Sequence, residues 1–430
     1  MMNDLPEECF VNIFSYLSDN ELRLLHPVSK RFYKISKSML RTFPLQDLET
    51  DNNPANFIRD KVCGVSRYFR LRFEKRKYVD HEEIQSNKKL SIRGRDITAL
   101  KLTSIPPELQ NYDLSNLVQV EVNPFVFRHV IVPGLETILN TCLKIQRLVI
   151  PRLHISESIL ASIENMTSLQ DLQMSDCRLP RNVNIIKFPA NLRNLDCTFV
   201  RFDCDHNISE LENLTSLNMA DICADVSDIC RLSKLTNLEH LNISWNEPGK
   251  IMSTITKLTK LVSFKAMMSR IGLFDDVRNM SQLTNLQIIN LENCDVTSAH
   301  LDWISDRHTL RELYLAYNTI DYHGVQKICK CKGVQVLDIS YNSIEDVACE
   351  IISNNDWIRL KTLDVSGNSI TDISANLMAS MNVSKLDLTR NFLSEDCVDD
   401  IYTWSKIKDL KCYPQRSYPN EMLSDFWQEM

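Results

Sequence analysis

The sequence predicts an α/β solenoid with a parallel inner sheet and outer helices, preceded by a small module of three short helices. Two observations predict the solenoid. A leucine-spaced motif restarts at Ile145, Leu169, Leu192, Leu214, Leu238, Leu261, Leu286, Leu310, Val334, Leu360, Val383 and Ile407, every 22 to 26 residues. Inside each copy, period-two alternation gives way to helix-like spacing, the pattern of one strand and one helix per unit. A third observation predicts the helical module: residues 5–35 carry apolar faces at helical spacing and capping signals, but no copy of the motif. With 43% hydrophobic and 24% charged residues, the 430-residue composition is that of a soluble globular protein.

The N-terminal module comes first in the chain. In "LPEECFVNIFSYLSDNELRLLHPVSKRFYKISK", Pro6 suits a first helical position, and Glu7 and Glu8 fall in the first turn, where the macrodipole favours anions. Phe10, Ile13, Phe14 and Leu17 follow at i, i+3, i+4 and i+7. Ser18-Asp19-Asn20-Glu21 is a capping box that ends one helix and starts another. Leu22, Leu25 and Val28 continue the apolar face, and Ser29 opens a third helix with Phe32 and Ile35. Three helices of this size bury too little to stand alone, so the module needs a partner.

Two parsings name different partners. Leu5, Cys9 and Ile13 are spaced as in the short box with which some receptors grip elongin C. Leu5-Pro6, Ile13-Phe14-Ser15-Tyr16-Leu17, Leu22, Leu25 and Val28-Ser29-Lys30-Arg31-Phe32 together resemble the F-box over about thirty residues, with His26-Pro27 departing from the usual helical residues. The longer match favours the F-box, and no convincing cullin-binding box follows an elongin box. The F-box resemblance implies docking to a Skp-family adaptor, and through it to a cullin and a RING protein. Leu5, Pro6, Ile13, Phe14, Leu17, Leu22, Leu25, Val28 and Phe32 are the candidate docking and helix-core residues, and the module spans residues 1–42.

Residues 43–116 connect this module to the array, and the Leu-x-Ile/Leu runs at 90–92 and 100–102 suggest degenerate first repeats there. The stretch "RDKVCGVSRYFRLRFEKRKYV" (59–79) interleaves basic and aromatic residues as some nucleic-acid surfaces do. A solvated edge of the array accounts for it better. The net charge of −7 argues against a general nucleic-acid binder.

From about Leu117 to residue 415 the template Leu-x-x-Leu-x-Leu-x-x-Asn/Cys-x-Leu recurs, as "LRELYLAYNTI" (310–320), "VQVLDISYNSI" (334–344), "LKTLDVSGNSI" (360–370) and "VSKLDLTRNFL" (383–393). These copies are similar to the leucine-rich-repeat family. The resemblance implies a horseshoe of about 12–13 units, parallel strands inside and helices outside, that binds partners on its concave face. At the ninth position Asn246, Asn318, Asn342, Asn368 and Asn391 are placed to bond neighbouring loops as a ladder. Cys177 and Cys294 substitute for asparagine there, while Leu153, Val200, Ile222 and Ser269 depart from the pattern. Helical spacing is expected between strands, with Val347, Ile351 and Ile352 on one face and Leu301 and Ile304 on another. The tail 416–430, with Phe426 and Trp427, is expected to cap the last repeat, the alternative being that it folds back along the concave face.

The fifth and eighth template positions are taken to face the concave surface. The eighth runs Arg152, Asp176, Phe199, Asp221, Trp245, Met268, Asn293, Tyr317, Tyr341, Gly367, Arg390. Exposed aromatics and methionines concentrate at recognition surfaces, so Trp245, Met267, Met268, Tyr314, Tyr317 and Tyr341 are the candidate substrate-binding residues. Asp338, Asp364 and Asp387 at the fifth position form either an acidic strip for a basic partner or a feature of the repeat's own consensus, the latter being favoured.

No catalytic constellation is visible: the 9 histidines are scattered, and the 14 cysteines lack metal-ligand spacing. Cofactors are not expected. "MMNDLPEEC" lacks the basic start of a secretory signal, and no 18-residue apolar run exists to span a membrane. Reduced thiols in cytoplasm or nucleus follow. The expectation is a non-catalytic substrate receptor of a Skp, cullin and F-box ubiquitin ligase, with a protein substrate left unnamed. An elongin-based receptor and a non-ligase repeat scaffold are the alternatives.

Overall fold

The structure is a computed structural model that describes residues 78–79, 99–102, 105, 114–122, 129–223, 226–246, 251–271, 275–305 and 307–413. The adaptor-docking candidates Leu5 to Phe32, nearly all of the basic run 59–79, the Leu90–Ile92 run and the tail 416–430 lie outside the described residues. The chain divides into two compact units, Met1–Cys142 and Leu143–Met430.

In the first unit three parallel strands pair in order: β1 (Tyr78–Val79), β2 (Ala99–Leu102) and β3 (Gln119–Val122). The Leu100–Leu102 run of the connecting region is therefore a repeat-like strand. Leu100, Leu102, Val120 and Val122 are buried, as alternate residues of strands with one covered face should be. Helix α1 (Leu135–Thr141) buries Leu135, Ile138 and Leu139.

The second unit repeats a strand of three residues once per motif. In order these are β4 (Arg147–Val149), β5 (Asp171–Gln173), β7 (Asn194–Asp196), β9 (Ser216–Asn218), β10 (His240–Asn242), β11 (Ser263–Lys265), β12 (Ile288–Asn290), β13 (Glu312–Tyr314), β14 (Val336–Asp338), β15 (Thr362–Asp364), β16 (Lys385–Asp387) and β17 (Asp409–Lys411). All pair in parallel with one register, set by the fourth template position. Leu148, Leu172, Leu195, Leu217, Leu241, Phe264, Ile289, Leu313, Leu337, Leu363, Leu386 and Leu410 stand opposite one another from strand to strand. From Leu148 to Leu386 every member of that row is at most 2% exposed. A one-residue slip would turn the whole row to the opposite face, so the hydrophobic pattern alone fixes the register.

The outer layer is less uniform than helical spacing suggests. Helices α2 (Glu157–Glu164), α3 (Val226–Arg231), α4 (Met252–Ile255), α5 (Tyr322–Ile328), α6 (Asp346–Ser353), α7 (Asp372–Ala379) and α8 (Glu395–Trp404) occupy it in most repeats. The repeats starting at Leu169 and Leu192 instead carry β6 (Ile185–Ile186) paired with β8 (Asp205–His206). In the first of them Pro189 would interrupt a helix. Residues 275–282 and 298–304 form 3-10 helices, with Leu301 and Ile304 buried as expected. Arg307 ties these two together, its Nε donating to the Trp303 carbonyl at 3.2 Å, Nη2 to Met280 at 2.7 Å, and Nη1 to the Leu283 carbonyl.

One helix presents a different face from the expected one. In α6 the buried residues are Ala348, Cys349 and Ile352, while Val347 is 58% exposed and Ile351 half-buried. Small side chains at 348 and 349 let the helix approach the sheet closely, and Val347 is left on the outer side. Caps are local: Ser156, Asp321, Thr371 and Ser394 accept from backbone N–H groups of the first turns of α2, α5, α7 and α8.

The ninth position closes the fold. Asn368 donates to the carbonyls of Ile339 (3.1 Å) and Val365 (2.9 Å) and accepts from the N–H groups of Asn342 (3.0 Å) and Ile344 (3.1 Å). Asn391 treats Val365, Asn368 and Ile370 in the same way, and Asn342 and Asn318 continue the ladder backward. Cys177 and Cys294 supply only the donor half, to Ile150 (2.9 Å) and Ala266 (2.8 Å). Burial pushes both thiols up to about 12, which keeps them protonated and able to donate. Ser269, which breaks the Asn/Cys pattern, keeps the same half by donating to Ile243 at 3.2 Å. Leu153, Val200 and Ile222 are simply buried.

Replacing Asn368 by alanine leaves the Asn342 and Ile344 N–H groups without their acceptor and takes one of two donors from the Ile339 and Val365 carbonyls, which keep Asn342 and Asn391. A loss of about 2–4 kcal/mol is expected by urea unfolding, with hydrogen exchange accelerated around residues 339–370. Cys294→Ala removes one weak donor, and about 1 kcal/mol or less is expected for it in the same measurement.

Candidate interaction surface

The fourth and sixth template positions face the core, which leaves the third and fifth on the open face of the sheet. The eighth position is not a strand position. It lies three residues beyond each strand, and it is left-handed in every repeat from Arg152 to Arg390. Arg152, Asp176, Phe199, Asp221, Trp245, Met268, Asn293, Tyr317, Tyr341 and Arg390 have φ between 49° and 61°, and Gly367 has φ 67°. The left-handed turn is what brings the ninth side chain inward to its ladder. A side chain at this φ costs on the order of 1 kcal/mol, so the column is held by the hydrogen bonds that follow it.

Because the backbone, not side-chain packing, sets this position, large residues stand there exposed. Phe199 is 53% exposed, Trp245 49% and Tyr317 39%. Tyr317 and Tyr341 stack with ring centroids 4.1 Å apart and planes 8° from parallel. Gly367 comes next in the column, and a Cβ there would lie 2.7 Å from the Tyr341 ring. Its absence lets that ring spread across the position, and Arg390 places its guanidinium 5.9 Å from the ring centroid.

The other candidates are distributed more widely. Tyr314 lies in β13 and donates its hydroxyl to Glu312 Oε2 at 3.0 Å. Trp245 and Met267 are joined through backbone, the Trp245 N–H donating to the Met267 carbonyl at 2.8 Å. Met268 receives Asn293 Nδ2 at its sulfur. Trp245 with Met267 and Met268 is thus separated in the column from the Tyr317–Tyr341 stack by Asn293. The sequence reading missed Gly367 and Arg390, whose signal was a lone glycine in a column of large side chains.

Beside the aromatic column runs the fifth position. Asp338, Asp364 and Asp387 stand in register on β14, β15 and β16. Each uses Oδ1 to accept both N–H and hydroxyl two residues on: Ser340 (3.0 and 2.7 Å), Ser366 (3.0 and 2.7 Å) and Thr389 (3.1 and 2.7 Å). Burial, then Asp338 and Asp387, pushes Asp364 up to about 7 against the Ser366 hydrogen bonds. Burial likewise raises Asp338, helped by Glu292 and Asp387. Lys411 Nζ lies 3.2 Å from Asp387 Oδ2 at the end of the row.

This arrangement is that of a leucine-rich-repeat protein: one strand per motif, one register, an inward ladder and an exposed adjoining face. Family models agree, with leucine-rich-repeat matches at residues 307–329 and 359–381. An F-box-like model matches residues 2–41, so the chain is an F-box-like domain followed by leucine-rich repeats, the composition of an F-box/leucine-rich-repeat protein. Among solved structures it is similar to a leucine-rich-repeat protein of Leptospira interrogans, at 16% identity and TM-score 0.50 over 79% of this chain and 89% of that one. An internalin of Listeria monocytogenes is similar at 16% identity and TM-score 0.43, over 75% of this chain and 88% of that one. Among curated proteins nothing matches the chain. No helix among the described residues is long and apolar enough to cross a membrane.

Two predictions follow from the columns. Gly367→Ala forces a side chain into φ 67° and against the Tyr341 ring. A loss of about 1–3 kcal/mol is expected, with a weakened tyrosine near-UV circular dichroism signal. For Asp364 the folded state holds its proton more tightly than the unfolded chain does. Its contribution to stability is therefore fully present below the ordinary carboxylate range and is lost as pH rises to about 7. Asp364→Asn should raise the melting temperature at neutral pH and leave it nearly unchanged at pH 4.

Proposed function

We propose that the chain is the non-catalytic substrate-recognition subunit of a ubiquitin ligase built on a Skp-family adaptor, a cullin and a RING protein. The pairing of an F-box-like match at residues 2–41 with leucine-rich repeats carries this reading. F-box domains generally bind Skp-type adaptors, and leucine-rich repeats bind protein substrates. Leu5, Pro6, Ile13, Phe14, Leu17, Leu22, Leu25, Val28 and Phe32 are the residues proposed to dock the adaptor and hold its helices. Trp245, Met267, Met268, Tyr314, Tyr317 and Tyr341 are proposed to hold the substrate. The receptor works by proximity, presenting a bound protein to the ligase. Buried S–H donors at Cys177 and Cys294 suit the reducing cytoplasm or nucleus, because oxidation would remove two rungs of the ladder.

The test is affinity purification of the tagged chain with quantitative mass spectrometry. A Skp-family adaptor should co-purify and be lost in the Leu5→Ala, Phe14→Ala, Leu17→Ala triple variant. Trp245→Ala with Tyr317→Ala should keep the adaptor and lose the captured substrate. Recovery of elongin C in place of the Skp adaptor would overturn the reading, and a stable monomer that recovers neither adaptor would make the chain a plain repeat scaffold.

A further inference from the structure

The acidic row beside the tyrosine stack is not explained by the fold. Its turn chemistry needs a side-chain oxygen at the fifth position, not a charge. In the N-terminal repeats asparagine does the same work: Asn242 accepts from the Ser244 N–H at 3.1 Å and hydroxyl at 2.6 Å, and Asn290 accepts from the Glu292 N–H at 2.9 Å. Aspartate at three successive strands instead sets carboxylates about 4.8 Å apart, where they repel one another. The turn bonds occupy Oδ1, and the second oxygen of Asp338 and Asp364 stays outside them. Among the described residues the only ion pair to this row is Lys411 on Asp387.

The adjoining aromatic column supplies the second half. Tyr317 is 39% exposed on a stack that Gly367 opens on its other side. There a cation, the chain's own Arg390, already sits against the Tyr341 ring. Ring faces and uncompensated carboxylates in one neighbourhood suit a cationic side chain with a long apolar stem.

We propose that the open face around β13 to β16 takes an extended segment of the target protein through its lysine or arginine side chains. Their head groups meet the Asp338–Asp364–Asp387 row, and their stems lie on the Tyr317–Tyr341 stack. This deepens the substrate-receptor reading and rests on it, since it names the chemical class of what the repeats capture.

The experiment measures fluorescence anisotropy of short labelled peptides with purified full-length chain. Three matched peptides carry lysine, glutamine or glutamate at the same positions. The lysine peptide should bind, the glutamine peptide more weakly and the glutamate peptide not at all. The Asp338→Asn, Asp364→Asn, Asp387→Asn triple variant, which keeps the turn acceptor as Asn242 does, should lose at least about tenfold in lysine-peptide affinity, equivalent to 1.4 kcal/mol. Tyr317→Ala should weaken it too. Asp396→Asn with Asp399→Asn and Asp400→Asn removes the same charge from exposed positions of α8 and should change nothing.

Asp364 faces Asp338, Asp387 and Ser366, with Glu292 and Lys411 as the other charges on the row. Lysine-peptide affinity should therefore rise between about pH 6 and pH 8 as Asp364 loses its proton. Equal binding of lysine and glutamine peptides overturns the proposal. So does an equal loss in the two triple variants, or no binding of the lysine peptide. If the peptide fails while the Skp adaptor still co-purifies, the ligase reading stands without this specificity; if the adaptor fails while the peptide binds, the reverse holds.

Discussion

The rest of the structure depends on one backbone event repeated along the array, the left-handed residue at the eighth template position. Each strand has to end and turn inward before the chain can cross to the outer layer. That turn buries carbonyl and N–H groups of neighbouring repeats, which in turn demand partners. The ninth side chain answers them. Asn368 alone joins the backbones of its own repeat and the one before, bonding Ile339, Asn342, Ile344 and Val365. No repeat satisfies itself, so the array folds as a unit, and the interface energy between repeats is concentrated where the ladder is complete.

That constraint also separates what the fold needs from what the surface can vary. Positions four and six are committed to the core and nine to the ladder. At position eight only the backbone conformation is fixed. Arginine, aspartate, asparagine, phenylalanine, tryptophan, methionine, tyrosine and glycine all occupy it with φ between 49° and 67°. A column of side chains held at strand spacing, outside both the core and the ladder, is a place where recognition chemistry can change without refolding the protein. The fifth position has half that freedom. It must offer an oxygen to the turn in repeats of the Asp-x-Ser type, and it remains free to be charged or neutral.

Much of this was legible in the sequence because it is periodic. The strand register, the buried leucine row and the asparagine ladder all follow from a template that returns every 22 to 26 residues. The conformation of the eighth position was not legible in that way, because backbone handedness leaves no hydrophobic signature. The outer layer was harder. Repeat length does not decide it, since the Leu169 and Leu360 repeats both have 23 residues, yet the first carries β6 and the second the eight-residue α7. Ser269 shows the opposite error, since it breaks the consensus and still performs the donor half of the ladder. Spacing places Val347 inward, whereas the residues beside it, Ala348 and Cys349, are the ones small enough to lie against the sheet.

The ladder and the charged row also differ in how they tolerate their cost. A protonated thiol, a serine hydroxyl or an asparagine each settles a buried carbonyl locally, and the substitution is absorbed within one repeat. Adjacent carboxylates cannot be settled that way, because each raises the cost of ionising its neighbours, and Asp364 at the centre of the row takes the largest share. Hydrogen bonds inside the turns reduce that cost without removing it, and Lys411 neutralises only the end of the row. A cation arriving from outside lowers the energy of all three together while they stay ionised. The same repulsion that makes the row a poor stabiliser of the free chain is what makes it a good acceptor for a basic partner.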